Sequence, residues 1–154
     1  LLASRTDRWA QADRVAWGEL AATDVGARSR PLLDAALALV VDEGLSSQLI
    51  HGDLSGNVLL GRGLVPTVID VSPYWRPAAY ADAVVAVDAF LWWRADPEIL
   101  PLAHPSGLGA TSWRSLLARA FVFRLLAFDE PRRDPDDVAT ELPRYADLLS
   151  LVAA

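Results

Sequence analysis

Apolar positions along the chain follow a helical period at both ends and an extended one in the middle. Residues 9–22 put Trp9, Ala12, Ala16 and Leu20 on one face, which predicts a helix. Residues 29–44 predict a second, with Ser29 as cap, Pro31 in the first turn and Gly44 at the stop. The period then shortens. "SSQLIHGD" leans towards a strand, and "NVLL", "GRG" and "PTVID" predict a β-hairpin whose glycines supply the turn angles. Residues 77–94 are apolar on most sides and predict a largely buried helix in which Trp92 and Trp93 pack. Residues 95–109, with three prolines and two glycines, predict a loop. Thr111 is placed to cap a helix running to Phe128. Residues 130–135 break the pattern, and Asp134 with Pro135 opens a last helical region that Pro143 is expected to kink or divide. The order is that of one helix-rich α+β domain over residues 1–154.

Composition narrows the function classes. A chain of 154 residues, 53% apolar and 22% charged, can close a core and is not disordered. No apolar run reaches the roughly 18 residues of a membrane span; the best candidate, "AVVAVDAFLWW", is interrupted by Asp88. The first residues lack the apolar block of a signal peptide. A soluble, cytoplasmic domain without membrane association is expected. A net charge of −6 with scattered arginines argues against a nucleic-acid surface. The absence of cysteine removes thiol chemistry. The absence of methionine leads us to expect residues before Leu1, and all 14 basic residues are arginine.

Candidate chemistry concentrates in "LIHGDLSGNVLLGRGLVPTVID", from Leu49 to Asp70. Phosphoryl transfer needs a carboxylate near the attacking hydroxyl and oxygen ligands for magnesium. Asp53, Asn57 and Asp70 supply such oxygens, and a hairpin would return Asp70 beside the loop holding the other two. Metal-dependent hydrolysis using His51, Asp53 and Asp70 is an alternative, although two distant histidines make a poor zinc site. His104 reads as a packing or surface histidine. Trp75 is either a core residue or the wall of a substrate cleft. Arg76 either meets a phosphate or acidic substrate, or pairs with a core helix.

At these residues the chain resembles a known group. "HGDLSGNVLL" followed by "VIDVSP" is similar to the catalytic and metal-binding segments of the aminoglycoside phosphotransferase and choline kinase-like family, distant relatives of protein kinases. The resemblance implies a protein-kinase-like C-terminal lobe, ATP and Mg2+ as cofactors, and a small-molecule hydroxyl as phosphoryl acceptor. It implies Asp53 as catalytic base, Asp70 as principal magnesium ligand and Asn57 as a second ligand, replaced or supported by Ser55. His51 would organise the loop through hydrogen bonds. Asp82 loosely matches a loop-bracing aspartate of relatives, at a different spacing.

The chain also departs from the pattern. The kinase-type loop places asparagine five positions after aspartate, whereas Asn57 is four beyond Asp53. The family's lysine and glycine-rich nucleotide cover have no counterpart here. The expectation is therefore a lobe that is not competent alone. It should carry an apolar face for the missing N-terminal lobe, a partner chain or a second copy. A pseudokinase or ligand-binding module without turnover is the alternative.

Overall fold

A computed structural model describes residues 5–42, 44–129 and 134–154. Its elements follow in the order α1 (Arg8–Ala16), α2 (Arg30–Leu37), β1 (Ser47–His51), β2 (Val58–Leu59), β3 (Thr67–Val68), β4 (Pro73–Pro77), α3 (Ala78–Leu91), α4 (Ile99–Leu102), α5 (Ala110–Phe128) and α6 (Pro135–Ala153). The protein is α+β and helix-rich, as its periodicity predicts. Helix α5 has no polar face and is buried on every side along most of its length. Such a helix can only be central, and α1, α2, α3 and α6 pack around it. Leu33, Tyr80, Val84, Val87, Phe121, Val122, Leu125, Tyr145 and Leu148 fill the space between them. Phe123 takes the edges of Trp9 and Tyr74 at ring separations of 6.0 and 5.7 Å, which ties α1 and β4 to the central helix.

Strands β1 and β4 form an antiparallel pair in which Ile50 faces Tyr74, Leu49 faces Trp75 and His51 faces Pro73. Ile50 and Tyr74 are buried, whereas Leu49 and Trp75, one step along, are 61% and 59% exposed. That alternation is the period-two signature of a strand with one covered face. Strand β4 is absent from the sequence-based expectation because Pro73 and Pro77 argue against a strand. Both fall at its ends, where a missing N–H removes little from the ladder. Strands β2 and β3 form the expected hairpin, shortened to the pairs Val58–Val68 and Leu59–Thr67.

Several element ends differ from expectation, each for a local reason. Helix α1 stops at Ala16 and not at residue 22. Gly18, at φ +71°, follows the cap, its N–H donates to Val15 O, and the Glu19 N–H donates to Arg14 O. These two bonds form a Schellman stop. Helix α2 stops at Leu37, well before Gly44. Ser115 and Arg119 of α5 bond the backbone of Val41 and draw it out of helical geometry. Ser29 holds the cap position of α2 without a side-chain bond. Gly109, not Thr111, caps α5. The predicted loop at 95–109 contains the short helix α4.

Of the break expected at 130–135, residues 130–133 lie outside the described residues, but Asp134 does cap α6, accepting from the Asp136 N–H. Helix α6 runs undivided through Pro143. Ala139, whose carbonyl loses a donor there, and Pro143 are both exposed, so water can replace the bond. Arg144 donates to the carbonyls of Phe90 and Leu91 and so satisfies the end of α3. Trp92 and Trp93, expected to pack, are 45% and 67% exposed because α3 ends just before them. Exposed apolar side chains gather on one stretch of chain, among them Leu59, Leu60, Leu64, Val65 and Val71. Among the described residues no helix is long and apolar enough to cross a membrane.

Two ion pairs anchor α1. Asp7 caps it, accepting from the Ala10 N–H at 3.1 Å and from Arg5 at 3.0 Å. Arg5, and after it the cap bond, hold the Asp7 carboxyl below its ordinary value. Asp13, 5% exposed, takes three bonds from Arg76 of β4, the shortest at 2.6 Å, and Arg76 also reaches Glu19 at 2.7 Å. Arg76 is thus the partner of a helix carboxylate. Replacing Asp7 by alanine should lower stability by about 1 kcal/mol at pH 7. A group with a lowered folded value contributes above its ordinary value of 3.8 and loses that contribution as pH falls through the folded value. The variant and the wild type should therefore converge in chemical denaturation below that range. Arg76→Ala should cost more, about 3 kcal/mol, because it strands a buried carboxylate; denaturant midpoints at pH 7 would measure it.

Candidate functional site

Strand β1 delivers the chain to the H-G-D segment, where Gly52 and Asp53 both find partners for their N–H groups. The Asp53 N–H donates to His51 Nδ1 at 3.0 Å. An accepting Nδ1 places the ring proton on Nε2, which lies 3.4 Å from the Ile69 carbonyl oxygen on the returning arm. Gly52 is buried against Tyr74: a Cβ there would stand 2.3 and 2.5 Å from ring carbons, so only glycine fits. Its N–H donates to Ser72 O at 2.8 Å.

The loop then closes one residue sooner than in the kinase-type pattern. The Asn57 N–H donates to Leu54 O at 2.9 Å, with Gly56 at φ +83° in the third position of the turn. Positive φ at that position is a glycine preference. The turn carries the Asn57 side chain back over the loop, and its Nδ2 donates to Asp53 O at 2.7 Å while standing 3.4 Å from Asp53 Oδ2. With the amide nitrogen engaged, the side-chain oxygen of Asn57 is left as an acceptor.

Asp70 arrives through the hairpin. The Ile69 N–H donates to Asn57 O at 2.9 Å, and Ser72 meets Gly52, so Asp70 lies between two points tied to the loop. It is exposed and has φ +47°. That left-handed conformation costs an L-residue about 1–2 kcal/mol, and aspartate and asparagine are among the few side chains that adopt it. Strain of this kind persists where the surroundings over-determine it, characteristically at ligand clamps.

Beneath Asp53 lies an arginine. Arg124 of α5 is 1% exposed; its Nε and Nη2 donate to the two oxygens of Asp88 of α3, each at 2.6 Å. The same Nη2 donates to Asp53 Oδ1 at 2.9 Å. Asp88 is fully buried, whereas the Asp53 side chain is 38% exposed. The guanidinium lies over the rings of Trp92 and Phe123, 4.7 Å from each centroid. Burial pushes the Asp88 carboxyl up from its ordinary value, against the pull of the Arg124 bonds and a hydrogen bond with Ser55. Burial alone would lower Arg124, but its bonds to Asp88 raise it above its ordinary value, and the two short parallel bonds have the geometry of a guanidinium–carboxylate pair.

The chain thus gathers His51, Asp53 and Asn57 into one hydrogen-bonded loop, with Asp70 on the adjoining strand connection. Ser55 lies close enough to Asp88 to pull its carboxyl down. Trp93 flanks the loop, its Cζ2 3.8 Å from where a Cβ on Gly56 would stand. Trp75 lines a separate groove of about 340 Å³ between α1 and β4, together with Arg5, Asp13 and Arg76. His104 packs, stacking on Trp113 at 5.4 Å and bonding Leu108 O at 2.9 Å. Asp82 is exposed; the carboxylate that braces the loop from α3 is Asp88.

Arg124 and Asp88 are missing from the sequence-based candidates. The available signal was a charge inside each of two apolar runs, "AVVAVDAFLWW" and "RAFVFRLLAF"; charges so placed are buried only when paired. Among the described residues no three His, Cys, Asp or Glu side chains form a metal cage. A cation here would use the Asp70 carboxylate, the Asn57 amide oxygen, water and substrate phosphate, an all-oxygen set of the kind Mg2+ takes. Comparison of the chain with protein-family models, with curated proteins and with solved structures gives no match.

Proposed function

We propose that residues 51–70 are the catalytic and magnesium-binding segment of an ATP-dependent phosphotransferase acting on a small-molecule hydroxyl. They would belong to the C-terminal lobe of an aminoglycoside phosphotransferase or choline kinase-like fold. The observation that carries this reading is the bond from Asn57 Nδ2 to the Asp53 carbonyl. It restores, over a four-residue spacing, a loop that offers a carboxylate and an amide oxygen together. In this reading Asp53 accepts the proton of the attacking hydroxyl through Oδ2, since Oδ1 is held by Arg124. Asp70 and the Asn57 oxygen hold Mg2+, which when bound offsets the charge of the phosphates. His51 fixes the loop to the returning arm.

Asp53 does no more than orient and deprotonate, because phosphoryl transfer depends mainly on positioning and charge. The nucleotide's glycine-rich cover and phosphate-binding cation come from further chain or a partner, since the sequence has no lysine. That lobe would also cover the apolar stretch around Leu59 and Val65.

The test uses Mn2+ in place of Mg2+, read by electron paramagnetic resonance with and without ATP. The wild type should bind the ion, more tightly with ATP. Asp70→Asn keeps a residue suited to φ +47° and should melt as the wild type does. Loss of even an outer-shell partner weakens metal binding about 10–100-fold, so this ligand change should weaken it at least about tenfold. A wild type that takes up no Mn2+ under either condition would overturn the reading, as would undiminished affinity in Asp70→Asn.

A further inference from the structure

We infer that Arg124 and Asp88 act together as a positioning device for Asp53, fixing the direction of its carboxylate while leaving its negative charge in place; this rests on the phosphotransferase reading above. The geometry assigns the labour. Asp88 occupies the Nε–Nη2 edge of the guanidinium with both oxygens at 2.6 Å. This two-bond match to a carboxylate is specific to arginine. Asp53 receives one longer bond, 2.9 Å, from the remaining hydrogen of Nη2. One cation therefore meets two carboxylates, and the buried one matches it. The charge left over is that of Asp53, whose side chain alone of the three is substantially exposed.

The division has a mechanical consequence. With Oδ1 anchored to α5, the Asp53 carboxylate cannot turn about its own axis, and Oδ2 is kept on the Asn57 side of the loop. Arg124 in turn cannot swing towards Asp53, because Asp88 and the rings of Trp92 and Phe123 hold its plane. Removing Asp88 would make Asp53 the sole counterion of a buried guanidinium and draw it inward. Replacing Arg124 by lysine keeps the charge but loses the fork.

A spectroscopic probe is built into the sequence, because Asn57 is its sole asparagine. The Asn57 side-chain amide, bonded to Asp53 O in the wild type, gives one NH2 pair in a nitrogen–proton correlation spectrum. In both Arg124→Lys and Asp88→Ala this pair should move towards the position of a free amide. Arg119→Lys is the control: Arg119 is also buried, but bonds only the Ala16 and Val41 carbonyls. It should lower the melting temperature without moving the Asn57 pair. An unmoved pair in both site variants would overturn the inference. Loss of the cooperative melt in both would do the same, by assigning the pair to the core alone.

With the chain or partner that completes the nucleotide site supplied, both site variants should lower kcat by about a hundredfold, the effect of a misplacement of about 1 Å. KM for ATP should stay within about twofold, because only positioning at the reacting hydroxyl is lost. Failure of the wild type to bind Mn2+ would sink the phosphotransferase reading, while the amide readout would still decide whether Arg124 and Asp88 set the loop.

Discussion

A guanidinium shut away from water between two carboxylates is the interaction on which the architecture converges. An arginine as buried as Arg124 is tolerated only with its donors satisfied. Satisfying them requires that α3 bring Asp88, that α5 bring Arg124, and that β1 end where Asp53 can reach the same guanidinium. The packing of α3 on α5, the pairing of β1 with β4 and the position of the loop are therefore coupled. Apolar contacts supply most of the driving force, but they are non-directional. The ion cluster adds direction.

Asp53 is the residue at which these constraints meet. Its N–H is bound by His51, its carbonyl by Asn57 and one carboxylate oxygen by Arg124. These partners lie on β1, the turn and α5, and His51 also faces the returning arm. A residue held at this many points is pre-organised, which is what a group acting mainly by position requires. The glycines on either side serve the same end differently. Gly52 lets the backbone lie against the Tyr74 ring, and Gly56 supplies the left-handed step that brings Asn57 home.

Much of this was legible in the sequence. Helical periods located α1, α2, α3, α5 and α6, and the glycine and proline signals located the hairpin. The H-G-D segment, Asn57 and Asp70 stood out as one oxygen-bearing group. What was not legible depended on partners distant along the chain. The end of α2 is set by Ser115 and Arg119, far beyond any local stop signal. Strand β4 was hidden by prolines that are harmless only because of the register in which β1 meets it. Trp92 and Trp93 looked like core because composition does not say where a helix runs off its neighbours. Arg124 and Asp88 each read as an interruption of an apolar run; only the fold shows that two interruptions answer one another.

The left-handed backbone at residue 70 bears on how this site could be lost. Most substitutions there would combine a missing carboxylate with a conformational penalty, and so would be visible as instability. Asparagine and glycine would not, since both accept that backbone, and each is one nucleotide away from an aspartate codon. A lineage could thus silence the site in a single step while its fold, expression and surface stayed intact. The same backbone that presents the carboxylate leaves an unobstructed route to a well-folded descendant without it.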